Sequence, residues 1–406
     1  MSTSAAMERS MPKRYCGSTA MIVVMTLATA ATALCMFKFP PIMTHLMDYY
    51  DVQTDLMGLL MSSSNIIGLI FGVAIGYANR NVLPKWTGLL GFLIMAAANV
   101  LAMNTSSFIV LIVSRMIEGT GLGFISNLTI SLVVSYTTTK RTTATAIVNA
   151  GMSIGEVAHQ NLAPRIIAAT GNLDGMYMYI IGTFVVMAVV MFVFLRREPS
   201  IASCSPKVVT EDKTVTKAKR ALVLKNRSLL LVAIAMFVFN ITISFGSYVN
   251  AYMEEVKGLD AVSAGTLNSV GSVIRLFVMI GFGVLADRIH SNRKPAIASF
   301  VGLSICYMLL VLLPGNLLFI YVILGSIAPA AITNSTYSCY PDIFGDASLT
   351  PVAHSVVQTF ARLSMLLGST IVGFMIKYMG YTASILTMVP LILFGAVCWY
   401  FAKQAK

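Results

Sequence analysis

Arginine is costly inside a lipid bilayer, yet its planar, permanently charged guanidinium pairs bidentately with carboxylates. Two arginines of this chain lie deep in apolar stretches: Arg275 within 262–286 and Arg362 within 352–376. Asn268, Ser272 and Arg275 are spaced i, i+4, i+7, and His354, Gln358 and Arg362 i, i+4, i+8, so each set falls on one helix face. At 1.5 Å per helical residue Arg275 stands about 18 Å from Asp287, near the middle of its stretch. Two readings are open. The guanidinium groups converge from different helices on one small anion, or each pairs with a carbonyl or carboxylate and only holds helices together.

A carboxylate stands in a comparable place. Asn149, Ser153, Glu156 and Gln160 repeat at i, i+4, i+7, i+11. A buried carboxylate can carry protons or neutralise an arginine, so Glu156 is a candidate for proton coupling or gating, with a structural partnership as the alternative. His159 beside it is expected to pack. Arg115 and Glu118, at i, i+3, are expected to form a structural ion pair. Lys38, next to Pro40 and Pro41, is expected to reach the membrane interface along its own stem. Asn240, Ser244 and Ser247 share a face flanked by Tyr248 and Asn250; cavity lining and helix–helix hydrogen bonding both explain them. Gly68, Gly72 and Gly76 recur every four residues, which suits close helix packing.

The elements that must position these groups follow from composition. Of 406 residues 57% are hydrophobic and 11% charged, with a mean hydropathy of +0.81. Soluble domains carry about 25% charged residues, and a span needs about 20 apolar ones. The sequence divides into about twelve such spans: 18–40, 56–78, 86–104, 107–135, 142–164 and 175–195, then 228–251, 262–286, 295–313, 316–338, 352–376 and 381–402. The expected domains are an N-terminal six-helix bundle (1–195), a polar linker (196–227) and a C-terminal six-helix bundle (228–406). The first span follows Arg9, Lys13 and Arg14 and is expected to stay uncleaved, being longer than a signal core.

Net charge is +12, and topology explains it. With the N-terminus inside, the basic residues of the connections fall inside, among them Arg80, Lys85, Lys140, Arg141, the run from Arg196 to Arg227, Arg288 and Lys294. Arg165, Lys257 and Lys377 fall outside; Lys38, Arg115, Arg275 and Arg362 lie in or beside spans. The charge therefore does not indicate nucleic-acid binding. The six cysteines are scattered without a C-x-x-C pair and the four histidines lack ligand spacing, so no metal is expected. No phosphate-binding glycine loop or nucleophile triad occurs, so neither an enzyme nor a cofactor is expected.

The two halves share a signature. Gly283-Val284-Leu285-Ala286-Asp287-Arg288, followed by Arg293-Lys294, corresponds to Gly76-Tyr77-Ala78-Asn79-Arg80, followed by Lys85, half a chain earlier. This resembles the major facilitator G-x-x-x-D-R-x-G-R-K loop, with Asn79 in place of the acid in the first copy. Arg115 through Gly119 and Gly121 resembles the family's R-x-x-x-G-x-G pattern. Gly151-x-x-x-Gly155 resembles a glycine motif of drug/proton antiporters, except that Glu156 replaces the proline. The resemblance implies an all-α membrane protein, two six-helix bundles around a central cavity, and alternating access. It gives Gly283, Asp287, Arg288, Gly76 and Arg80 a conformational role. Under the offset of the two copies Glu156 falls two residues from Arg362. Basic residues in the eighth and eleventh spans also resemble the oxalate/formate antiporter branch, which has lysine where this chain has Arg362.

The expected function is transport of a small organic anion by exchange or proton coupling, with Arg275, Arg362, Gln358, Asn268, Asn240 and Tyr248 binding it. The expected setting is the inner membrane, as a monomer with both termini cytoplasmic and with solute and lipid as its partners. The runner-up is proton-driven efflux of amphipathic compounds, against which the arginines and the missing proline count. A sensor signalling through 196–227 is a third reading, without a recognisable output domain.

Overall fold

A computed structural model describes residues 16–136, 141–200, 225–289, 293–339, 343 and 350–402. Among these residues the fold is helical. The order is α1 (Ser18–Met36), α2 (Met43–Tyr50), α3 (Thr54–Asn81), α4 (Pro84–Met103), α5 (Phe108–Tyr136), α6 (Arg141–Thr170), α7 (Asp174–Phe194), α8 (Arg227–Ile243), α9 (Val249–Glu255), α10 (Ala261–Ile289), α11 (Arg293–Leu312), α12 (Leu318–Ser338) and α13 (Thr350–Phe401). Eight described helical stretches are long and apolar enough to cross a membrane. With α3, α6 and α10, and with α13 divided at Gly380, the helices follow the twelve-span pattern of the sequence. Most of the linker, 201–224, lies outside the described residues.

Two departures from the expected spans have local causes. The spans expected at 352–376 and 381–402 are continuous in α13, interrupted only where Gly380 takes φ 76°. That left-handed conformation is cheap for glycine alone, so the chain turns its corner there. The seventh span is broken: α8 ends at Ile243, a 3₁₀ turn covers Ser244–Tyr248, and α9 follows. Ser244 Oγ donates to Asn240 O at 2.7 Å and Thr242 Oγ1 to Phe239 O at 2.7 Å. Such back-bonding loosens a helix, and Gly246 adds backbone freedom. The Tyr307 hydroxyl donates to Thr242 O at 2.7 Å, satisfying a carbonyl beside the break.

The described residues form two compact units. One comprises Met1–Lys38 with Ser63–Val209, the other Phe39–Ser62 with Thr210–Lys406. Within the first, α1 and α6 run parallel and nearly touch. A Cβ added at Gly151 would lie 2.3 Å from Thr26 O, and one at Gly155 2.0 Å from Ala30 O. The glycine pair that resembles an antiporter motif is therefore a helix-packing device here. Within the second unit, Lys257 Nζ donates to Val311 O at 2.9 Å and Leu313 O at 2.7 Å, meeting the free carbonyls at the end of α11.

The end of α7 is tied to the start of α1. Cys16 N–H donates to Glu198 Oε1 at 2.8 Å, and its thiol contacts Phe194 O at 3.5 Å. Burial, then the hydrogen bond and charge of Glu198, push the Cys16 thiol up to about 11. At pH 7 its thiolate is then about one part in ten thousand, against a few per cent for an ordinary thiol. In a variant whose sole cysteine is Cys16, maleimide labelling at pH 7 is expected to run a few hundredfold slower, to order of magnitude, than at an ordinary exposed cysteine. Raising the pH or introducing Glu198→Gln should speed it. Ordinary labelling at pH 7 would show that the Glu198 contact is not formed.

Candidate functional site

The first unit encloses a dry charge cluster. Glu118 is fully buried, Lys38 is 1% exposed and Arg115 2%. Glu118 Oε2 accepts from Lys38 Nζ at 2.8 Å and from Arg115 Nη1 at 2.8 Å. Its other oxygen accepts from Asn99 Nδ2 at 2.8 Å, and Asn99 Oδ1 accepts from Lys38 at 2.9 Å. Arg115 also donates to Cys35 O. His159 Nε2 lies 3.1 Å from Lys38 O, and its ring stacks on Tyr179 with centroids 6.3 Å apart. The Lys38 ammonium lies 5.7 Å from the centre of the Tyr177 ring.

These side chains come from α4, α5, α6, α7 and the end of α1. Buried ions are tolerated only when paired and hydrogen-bonded, and here one carboxylate serves two cations with an amide beside it. The expectation that Lys38 reaches the interface is corrected: its stem turns inward because Glu118 offers a counter-charge that hydrocarbon does not. Asn99 and His159 complete the cluster. A single asparagine in the apolar run of α4 was the only trace of Asn99 in the sequence. The R-x-x-x-G-x-G pattern gains a physical meaning, because Arg115 holds α1, while a Cβ at Gly119 would fall 2.1 Å from Ser64 O of α3.

The proposed solute residues lie in the second unit. Arg275 of α10 is half-buried and Arg362 of α13 is exposed. An exposed guanidinium at mid-span costs about 2.5–3.5 kcal/mol against hydrocarbon even on insertion scales, so a water-filled or polar surround suits this position. Asn268 Nδ2 donates to Asn250 Oδ1 at 2.8 Å, which ties α10 to α9. Asn240 is buried and its amide donates to Met236 O at 2.8 Å. Tyr248 is fully buried, its hydroxyl 2.8 Å from Ser369 O and 3.2 Å from Thr54 O. Tyr248 and Asn240 thus spend donors on main-chain carbonyls in this conformation. The side chain of Gln358 lies outside the described residues, as does that of His354.

Glu156 is 6% exposed, in α6 of the first unit. Gly76 and Arg80 fall on α3, and Gly283, Asp287 and Arg288 on α10; their side chains lie outside the described residues. Among the described residues no group of three or more His, Cys, Asp or Glu side chains could hold a metal ion.

Residues 25–349 match the family model described as the Major Facilitator Superfamily. No curated protein matches the sequence. Among solved structures, the chain is similar to a bacterial homologue of the human lysosomal transporter Spinster in an inward-facing, occupied conformation. That match has a TM-score of 0.74 and 14% identity, covering 95% of this chain and 96% of the other. It is also similar to a mutant of the nucleoside transporter NupG, with a TM-score of 0.77 and 12% identity over 94% and 99% of the two chains. At these identities the likeness is one of fold.

Proposed function

The chain belongs to the Major Facilitator Superfamily, and from that premise we propose that it carries a small organic anion, a carboxylate, by exchange or proton-coupled alternating access. As a member of that superfamily it is a multi-pass membrane transporter of small solutes and not an enzyme. The observation that supports an anion is the pair of mid-span arginines in the second unit. Arg362 stays exposed on its helix and Arg275 is half-buried, so neither is sealed in a dry cluster as Arg115 is. Their forks would take one carboxylate bidentately and supply its charge balance. Asn268, Asn240, Gln358 and Tyr248 complete the proposed surround, and Glu156 is the proposed proton-coupling or gating group. The basic residues in the eighth and eleventh spans are the basis for placing the chain near the oxalate/formate antiporters. The same reading sets two six-span halves in the inner membrane as a monomer, with both termini in the cytoplasm, where the basic connections collect.

Counterflow in proteoliposomes tests the proposal. The panel holds labelled mono- and dicarboxylates, inorganic anions, a nucleoside and a lipophilic cation. A carboxylate is expected to exchange and the cation is not. Exchange of the cation or the nucleoside with no anion able to compete would overturn the anion reading.

A further inference from the structure

Lysine and arginine gathered beside an exposed aromatic ring at the end of a membrane helix suit an anionic headgroup. The first unit has such an end. Helix α4 starts at Pro84 and α7 finishes at Phe194. The two nearly touch there, because a Cβ added at Gly88 would lie 2.9 Å from Met191 Cβ. Trp86, on the first turn of α4, is 43% exposed, and its ring lies 5.4 Å from that of Phe192 on α7. Lys85 Nζ stands 5.5 Å from the centre of the Trp86 ring. Arg196 and Arg197 follow Phe192 by about one turn and are exposed. The acid of this stretch, Glu198, is buried and accepts from Cys16 N–H. Three cations and an exposed indole therefore share this end of the helix pair.

The second unit repeats the arrangement. The offset that carries Arg80 onto Arg288 also carries Lys85 onto Arg293 and Phe192 onto Tyr400. Arg293 opens α11, and Tyr400 stands at the end of α13. The Arg293 guanidinium carbon lies 5.2 Å from the centre of the Tyr400 ring, and Arg293 Nη2 donates to Tyr400 O. Tyr400 and Lys294 are exposed. Topology asks only that cations collect on one side of the membrane. It does not ask that a cation stand over an aromatic ring at the same repeat position in both units. Tryptophan and tyrosine settle at the headgroup level, and a cation held beside them is at the depth of lipid phosphate.

We propose that the end of each helix pair, α4 with α7 and α11 with α13, binds the phosphate headgroup of an anionic phospholipid. In the first unit Lys85, Arg196 and Arg197 supply the charge and Trp86 lies against the lipid. In the second, Arg293 and Lys294 supply the charge and Tyr400 the ring. The sites require that the chain lie in a membrane and are independent of the solute it carries.

Trp86 is its own probe, because the chain has two tryptophans and the other, Trp399, is 1% exposed. A Trp399→Phe protein is placed in phosphatidylcholine vesicles containing a minor fraction of brominated phosphatidylglycerol. Quenching of Trp86 is compared with that by the same fraction of brominated phosphatidylcholine. Each basic residue at a membrane surface favours an anionic lipid about fivefold, so a preference of about tenfold or more is expected. Lys85→Gln/Arg196→Gln/Arg197→Gln should bring it to within about twofold of none. Lys225→Gln/Arg227→Gln, which removes two exposed cations at the start of α8, should leave it unchanged. No preference in the Trp399→Phe protein, or an equal fall in both variants, would overturn the site. Inorganic phosphate at matched ionic strength is expected not to relieve the quenching; relief would make this a site for free phosphate and overturn the lipid as occupant. Native mass spectrometry of the chain with both tryptophans, extracted in phosphatidylglycerol, reads both sites and does not depend on Trp399→Phe folding. One retained lipid per unit is expected, with one lost in the triple variant and one in Arg293→Gln/Lys294→Gln. A lipid count unmoved by a unit's variant would overturn that unit's site.

Discussion

Glu118→Gln is expected to destabilise the first unit by about 3–5 kcal/mol, the usual consequence of breaking a buried ion pair from one side. The carboxylate is shared by Lys38 and Arg115 at 2.8 Å each, with side chains at most 2% exposed. An amide in its place leaves two cations in a dry site without a counter-charge. Lys38→Met is expected to be milder, since Glu118 keeps Arg115 and the net charge of the cluster falls to zero. Thermal unfolding in detergent micelles, with size-exclusion profiles, reads the difference. Because helices α4, α5, α6 and α7 and the end of α1 contribute to the cluster, its loss should disperse the whole first unit. An unfolding temperature for Glu118→Gln within about 2 °C of the parent would show that the cluster does not hold the unit.

Arg275→Gln and Arg362→Gln are each expected to abolish anion exchange while leaving insertion and unfolding temperature unchanged. The contrast with Glu118 is physical. Arg362 is exposed and Arg275 half-buried, so neither is as fully desolvated as Arg115, and neutralising it is expected to cost the fold less. Arg362→Lys keeps the charge and loses the fork; a lost charge-assisted hydrogen bond of about 1.5–3 kcal/mol lowers apparent affinity tenfold or more. Glu156→Gln is expected to remove uptake driven by a pH gradient and to spare counterflow, which needs no net proton movement. Full exchange in both arginine-to-glutamine variants would remove the proposed site. Unchanged pH dependence in Glu156→Gln would leave that carboxylate a structural role.

Much of the helix pattern is legible in the sequence. Long charge-free stretches have few alternatives to membrane helices, so α1, α4, α5, α7 and α11 fall close to their expected positions. The break in the seventh span was not legible as such. Ser244, Gly246 and Ser247 read as a polar helix face, and only the back-bonds and the Tyr307 hydroxyl show the helix opening there. The corner at Gly380 was legible as a gap between spans, but its left-handed backbone was not.

The sequence by itself determined the class of protein, through hydropathy and the repeated loop signature. Those are properties of composition and spacing, and neither needs a partner. Tertiary structure alone decided which charges are spent on the fold. Arg115 and Glu118 were visible as an i, i+3 pair, but Lys38 and Asn99 reach the same carboxylate from 80 and 19 residues away. It also decided that Phe39–Ser62, contiguous in sequence with the first spans, belongs to the second compact unit. A buried ion is stable only beside its counter-charge, and that neighbour is set by packing between helices, which no single stretch of sequence encodes.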